Sequence, residues 1–156
     1  MEIAHHKNVI SKDGFTLTEL LIVLAILSIL LAIAIPSYLG YISSTKRTEA
    51  KLNLQSLKLL LEQYFSENAR YCPVNSTDYT YMENDSGTPT CTTCITSFLP
   101  GFKPKSTTAG SQAVLYHYTV NCSSNTAFLA TATPQTARGA PSGNLTINQD
   151  GVKTGW

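Results

Sequence analysis

The sequence predicts an α+β fold: a long N-terminal α-helix, membrane-spanning in its first half, packed on a small antiparallel β-sheet of three to four strands. Three observations carry this. Leu20 to Ile35 reads LLIVLAILSILLAIAI, with Ser28 its only polar member. Beyond it, Ala50, Leu54, Leu57, Leu61, Tyr64 and Phe65 recur at steps of three and four, the spacing of one helix face. Further on, short runs rich in β-branched and aromatic residues alternate with turn residues.

A chain of 156 residues fits one ordinary domain with an appendage. Only 13% of its residues are charged and the net charge is +1, so no global field points to nucleic acid or to an acidic partner. Residues 1–14, MEIAHHKNVISKDG, are too short and polar to fold alone. From Phe15 to Ile35 a helix rises about 1.5 Å per residue and reaches roughly 30 Å, the thickness of a bilayer's hydrocarbon core. Pro36 is followed by helix-compatible sequence with no small-x-small cleavage pattern, so the span is expected to stay attached to the folded part of the chain. The helix is read from about Thr16 to about Asn68, with a bend expected at Pro36, which lacks a backbone donor.

Residues 69–112 are rich in Thr, Ser, Asn, Gly and Pro and carry neither period, which reads as a long connecting region. AVLYHYTVN (113–121) and TAFLATAT (126–133) read as a hairpin turning at CSSN. NLTIN (144–148) supplies a third strand, and Asp150-Gly151 a turn with room for a brief return to Trp156.

Four cysteines, Cys72, Cys91, Cys94 and Cys122, all lie beyond the span, and their even number suggests disulfides in an oxidising compartment outside the cytoplasm. Three pairings are open. Cys91 and Cys94 in CTTC also fit a metal or an exchangeable disulfide, but no second CxxC completes a zinc site, and structural disulfides are favoured. His5 and His6 are a weak metal signal, and His117 lies in a strand pattern. Lys103, Lys105 and Phe102 in GFKPK could touch nucleic acid by charge and stacking, though two lysines make no stripe. No Ser/His/Asp grouping or phosphate-cradling loop is present, so neither catalysis nor a cofactor is expected.

The leader ending in Gly14, followed by FTLTELLIVLAILSILLAIAIP and an amphipathic continuation, closely resembles the class III signal and N-terminal helix of type IV pilins and pseudopilins. Gly14, Phe15 and Glu19 match that family's motif residue for residue. The resemblance implies that residues 1–14 are a leader, cut between Gly14 and Phe15 by a prepilin peptidase that then methylates the Phe15 amine. It makes 15–36 the membrane and filament-core half of the helix, 37–68 its amphipathic half, 69–112 a disulfide-pinned region and 113–156 the sheet with its tail. The partners implied are other pilin subunits, the pilus assembly machinery and the bacterial inner membrane, which holds a single-pass precursor before it enters an extracellular pilus. In that family Glu19 would pair with a neighbouring subunit's N-terminal amine and set the register between helices; an unpaired carboxylate there costs on the order of 2.5–3.5 kcal/mol. Pro36 is carried over with it as an assembly position.

The tail is similar to the C-terminal hairpin of type IVa minor pilins: Phe128, Ala132, Pro134, Leu145, Thr146, Gly151 and Trp156 fit. Many relatives place cysteines in the variable loop and beside the last Trp; here those places hold Ser142 or Asn144 and Gly155. The resemblance implies a structural subunit, a minor pilin. A major pilin, a DNA-uptake or adhesive pilin and a type II secretion pseudopilin remain alternatives. DNA as a partner would want a basic exposed patch, and a pseudopilin a carboxylate cluster in its C-terminal loop. After Asp85 only Asp150 is acidic.

Overall fold

The computed structural model describes residues 14–83, 88–104 and 114–156. Residues 1–13 of the leader, with His5 and His6, and Lys105 lie outside them. The chain divides into two compact units, Met1–Leu39 and Gly40–Trp156. One α-helix, α1 (Leu17–Asn68), contributes to both, and Pro36 lies inside it without ending it.

In the first unit every described residue is exposed. An 18-residue window of α1 has a mean hydropathy of 2.9 with none of it buried. Such an apolar surface marks a membrane or a partner. Its one polar side chain, Ser28, returns its hydroxyl to the Ala25 carbonyl at 2.8 Å, so the run leaves no side-chain donor to solvate.

The second unit packs the later part of α1 on a five-stranded antiparallel sheet in the order β1-β2-β3-β4-β5. The strands are Asp78–Tyr81, Tyr116–Ser124, Ala127–Pro134, Leu145–Asn148 and Lys153–Thr154. Two rows of side chains cross the sheet beneath the helix. One is Tyr79, Val120, Ala130 and Ile147, the other Tyr81, Tyr118, Ala132 and Leu145. All are buried, and they meet Ala50, Leu54, Leu57 and Leu61 of α1, each fully buried. Removing a leucine from such a site costs about 2–5 kcal/mol. Asn53, buried on the same helix face, donates to the Tyr118 hydroxyl at 2.8 Å and ties helix to sheet. Burial pushes the Tyr118 hydroxyl up, and the Asn53 bond opposes the shift.

The opposite sheet face is unlike the first. Thr80, Thr119, Thr131, Thr146 and Thr154 stand in register across all five strands. Cross-strand Thr pairs contribute about 0.2–1 kcal/mol each, and the row gives this face hydroxyls in place of charge.

The strand count is five because DYTY, inside the stretch read as a loop, forms β1. Its alternation is real but only four residues long, too short to stand out among polar neighbours. The hairpin turn falls at Asn125-Thr126, since a bulge between Asn121 and Ser124 carries β2 through Cys122. Phe102 of GFKPK is 1% exposed, its ring 5.6 Å from Tyr81 and 5.5 Å from Tyr118, centre to centre. It closes the core and is not free to stack on a base. Tyr64 meets Phe98 edge to face, and Phe65 stacks on Tyr71 at 4.5 Å. Tyr38 and Tyr41 are exposed.

Candidate functional site

Gly14 and Phe15 precede the helix, and Phe15 is 84% exposed. The Thr16 backbone N–H donates to Glu19 Oε2 at 2.9 Å and its hydroxyl to the same oxygen at 2.7 Å, while the Glu19 N–H donates to Thr16 Oγ1 at 3.2 Å. This is a reciprocal capping box, which satisfies donors that a helix start otherwise leaves open. The signature T-x-x-E before an apolar run is legible in TLTE, and a reading of Glu19 as a register mark alone misses it. Both bonds fall on Oε2; Oε1 has no hydrogen bond among the described residues.

The helix ends at Asn68, where the Ala69 N–H returns to the Phe65 carbonyl at 2.8 Å with Ala69 at φ 55°. A left-handed residue there turns the chain back, as at many helix ends. Cys72 then bonds Cys122 near the end of β2 across a separation of 50 residues, so the segment after α1 is tied covalently to the sheet. Cys91 bonds Cys94. That small loop borders β1: the Thr80 N–H donates to the Thr93 carbonyl at 2.8 Å, and the Thr90 N–H to the Met82 carbonyl at 2.9 Å.

Two basic residues of α1 hold the connection between β3 and β4. Lys46 donates to the Gly139 carbonyl at 2.9 Å. Arg47 donates to the Ser142 carbonyl at 3.1 Å and to the Gly155 carbonyl. Gly155, at φ 78°, lies so close to Asn144 that a Cβ would sit 2.2 Å from the Asn144 carbonyl oxygen. Trp156 then donates from Nε1 to the Thr146 carbonyl at 2.9 Å. The places that hold cysteines in the resembling tails are thus bridged here by one guanidinium. Arg138 is a third tie, donating to the Val114 and Glu83 carbonyls at 3.1 and 3.0 Å. The buried Glu83 accepts from the Tyr81 hydroxyl at 2.5 Å and from the Val114 N–H at 2.9 Å. Burial first and Glu83 second push the Tyr81 hydroxyl up. Among the described residues no His, Cys, Asp and Glu side chains gather as a metal site.

Comparison with known proteins fits this geometry. Residues 11–35 match a family model described as a prokaryotic N-terminal methylation motif. Residues 36–144 match one described as "Type IV minor pilin ComP, DNA uptake sequence receptor". The chain is 50% identical over 58 residues to the type IV major pilin protein PilA of Myxococcus xanthus, covering 37% of this chain and 26% of that protein. It is 39% identical over 66 residues to the type IV major pilin protein PilE1 of Neisseria gonorrhoeae, covering 42% and 39%. A fimbrial protein of Pseudomonas aeruginosa is 46% identical over 57 residues, covering 36% and 37%. The aligned part thus spans well under half the length of each of these relatives. No solved structure matches the chain significantly. An apolar helix opening on Gly14-Phe15-Thr16-Leu17-Thr18-Glu19 and a disulfide-tied helix-on-sheet unit, the latter matched through most of its length, place the chain in the ComP-type family of type IV pilins.

Proposed function

We propose that this type IV pilin is a minor subunit of its pilus, assembled through its N-terminal helix, whose globular unit binds DNA for uptake. The observation that carries the proposal is the extent of the family match. The model described as a minor pilin and DNA uptake sequence receptor covers residues 36–144. The alignments to proteins named as major pilins run to 58 and 66 residues, too short to take in the unit Gly40–Trp156.

On this reading a prepilin peptidase cuts between Gly14 and Phe15 at the cytoplasmic face of the inner membrane and methylates the Phe15 amine. Residues 15–36 hold the precursor in the membrane as a single span. The assembly machinery then moves the subunit into an extracellular filament, where the apolar surface of the first unit passes from lipid to neighbouring helices. Adhesion there is non-directional, so a polar contact must fix the register. Glu19 supplies it, with Oε1 directed to a neighbour's amine while Oε2 keeps the cap. The exposed Phe15 and the solvent-facing stripe from Leu20 to Ile35 support this assignment.

The test is intact mass and abundance of the protein in sheared filaments, together with DNA uptake by a strain lacking it. Loss of residues 1–14, gain of one methyl group, sparse incorporation, and pili that persist while uptake fails are the expected results. Abundance equal to the main filament subunit, or unchanged uptake, overturns the proposal.

A further inference from the structure

Resting on the proposed role in DNA uptake, we infer that DNA lies along the edge where α1 meets β5, its phosphate backbone held by Lys51, Lys58 and Lys153. On the strands, the outward face of the sheet offers a phosphate no cation: it presents the threonine row, and its one side chain charged at neutral pH is Asp78. GFKPK is equally unsuited, with Phe102 in the core. The cations that sequence scatters are gathered elsewhere. Lys51 and Lys58 lie two helical turns apart on one stripe of α1, about 10 Å along its axis. Lys153 stands across from them on the two-residue edge strand β5.

Between helix and strand runs an open groove of about 410 Å³ lined by Gln55, Lys58, Leu59, Ile147, Gly151 and Lys153. Gly151, at φ 79°, has nothing within 4 Å of where a Cβ would lie, so a backbone can come close there. Lys51 and Lys153 are positioned through Trp156, their ammonium groups 5.9 and 4.4 Å from its ring centre. Such contacts fix the direction of the ammonium groups without neutralising them. Two carboxylates stand nearby: Glu62 accepts from the Tyr71 hydroxyl at 3.0 Å and pairs with Lys58 at 3.2 Å, so a phosphate at Lys58 takes the place of that ion pair, and Asp150 accepts from Gln149 at 2.7 Å.

Lys51 and Lys58, about 10 Å apart along the helix, span about three phosphate steps of one strand of a duplex, which advance about 3.4 Å each along the axis. With the Trp156 ring flanked by lysines, the edge reads backbone and not base. It positions the duplex and leaves sequence to other contacts.

The experiment uses the full chain in detergent micelles and a short labelled duplex of arbitrary sequence, followed by anisotropy across a salt series. Lys51→Gln/Lys58→Gln/Lys153→Gln is expected to weaken binding at least tenfold and to reduce the slope of log affinity against log salt by about 2.7, at about 0.9 per lost phosphate contact. Arginine at the three positions should restore both, and Arg70→Gln/Lys103→Gln should change neither. If the triple variant does not fold, Lys153→Gln alone, on an exposed strand, should lower the slope by about 0.9. Unchanged affinity and slope in the lysine variants while the wild type binds overturn this inference and leave the proposed function standing. A wild type that binds no duplex overturns both.

Discussion

Arg47 and Gly155 are joined by a hydrogen bond from a guanidinium on the helix to a carbonyl at the far end of the chain, and the same guanidinium donates to Ser142. One planar fork therefore closes both the β3–β4 connection and the last segment onto α1. Arg47→Ala should cost about 1–2 kcal/mol, as hydrogen bonds from a charged donor do when partly exposed. Arg47→Lys should recover less than half of that, since a single ammonium cannot span both carbonyls. Gly155→Ala should be worse than either, because it combines a left-handed residue with a Cβ 2.2 Å from the Asn144 oxygen. Chemical denaturation of the three variants ranks them, and an alanine at 155 that costs nothing would show that the clasp is not closed in solution.

The two disulfides should differ in weight. Cys72–Cys122 closes a separation of 50 residues and Cys91–Cys94 one of 3. By loop entropy the first stabilises by about 4 kcal/mol and the second by about 1.5. Cys72→Ser/Cys122→Ser is therefore expected to lower the unfolding midpoint much more than Cys91→Ser/Cys94→Ser. Equal losses would mean that the small loop organises the β1 edge beyond its entropy.

The helix, its apolar half and its buried stripe were legible because a long periodic segment repeats its signal many times over. β1 was not, since DYTY carries two inward tyrosines and no more. Glu19 stood out as a charge beside an apolar run, and its capping role was written in TLTE but outweighed by the filament motif. The clasp could not be read at all. Lys46 and Arg47 act on backbone carbonyls of Gly139, Ser142 and Gly155, and a carbonyl acceptor leaves no trace in side-chain identity. The cationic edge was hidden for a related reason: Lys51, Lys58 and Lys153 are brought together only by the turn at Gly151 and the pairing of β5 with β4.

His117 makes the globular unit sensitive to acid. Its Nε2 is buried, with no hydrogen-bond partner among the described residues. Burial first, and then the Arg138 guanidinium, hold its pKa below the ordinary 6.5, with Glu83 opposing them. Its folded pKa is therefore lower than its unfolded one. As pH falls through 6.5 the unfolded chain takes up a proton that the folded chain resists, so the contribution of His117 is intact above 6.5 and is lost below it. Stability of the wild type should fall more steeply between about pH 7 and 5 than that of His117→Gln. Parallel curves for the two proteins would place the titration elsewhere.

Glu19 caps its own helix and, in the proposed assembly, also marks register against another, and two substitutions separate the tasks. Thr16→Ala removes the hydroxyl from the box but leaves the carboxylate, and should cost about 1 kcal/mol locally, seen as faster amide exchange in the first turn of α1. Glu19→Gln keeps an oxygen that can accept from Thr16 but loses the charge. If register rests on charge, Glu19→Gln enters the membrane normally yet is missing from sheared filaments, while Thr16→Ala, frayed at its start, is still incorporated. If the cap alone matters, the order reverses, with Thr16→Ala excluded and Glu19→Gln assembled. Quantifying both variants in membrane and filament fractions of the same cells decides between a carboxylate that serves its own helix and one that also serves the next.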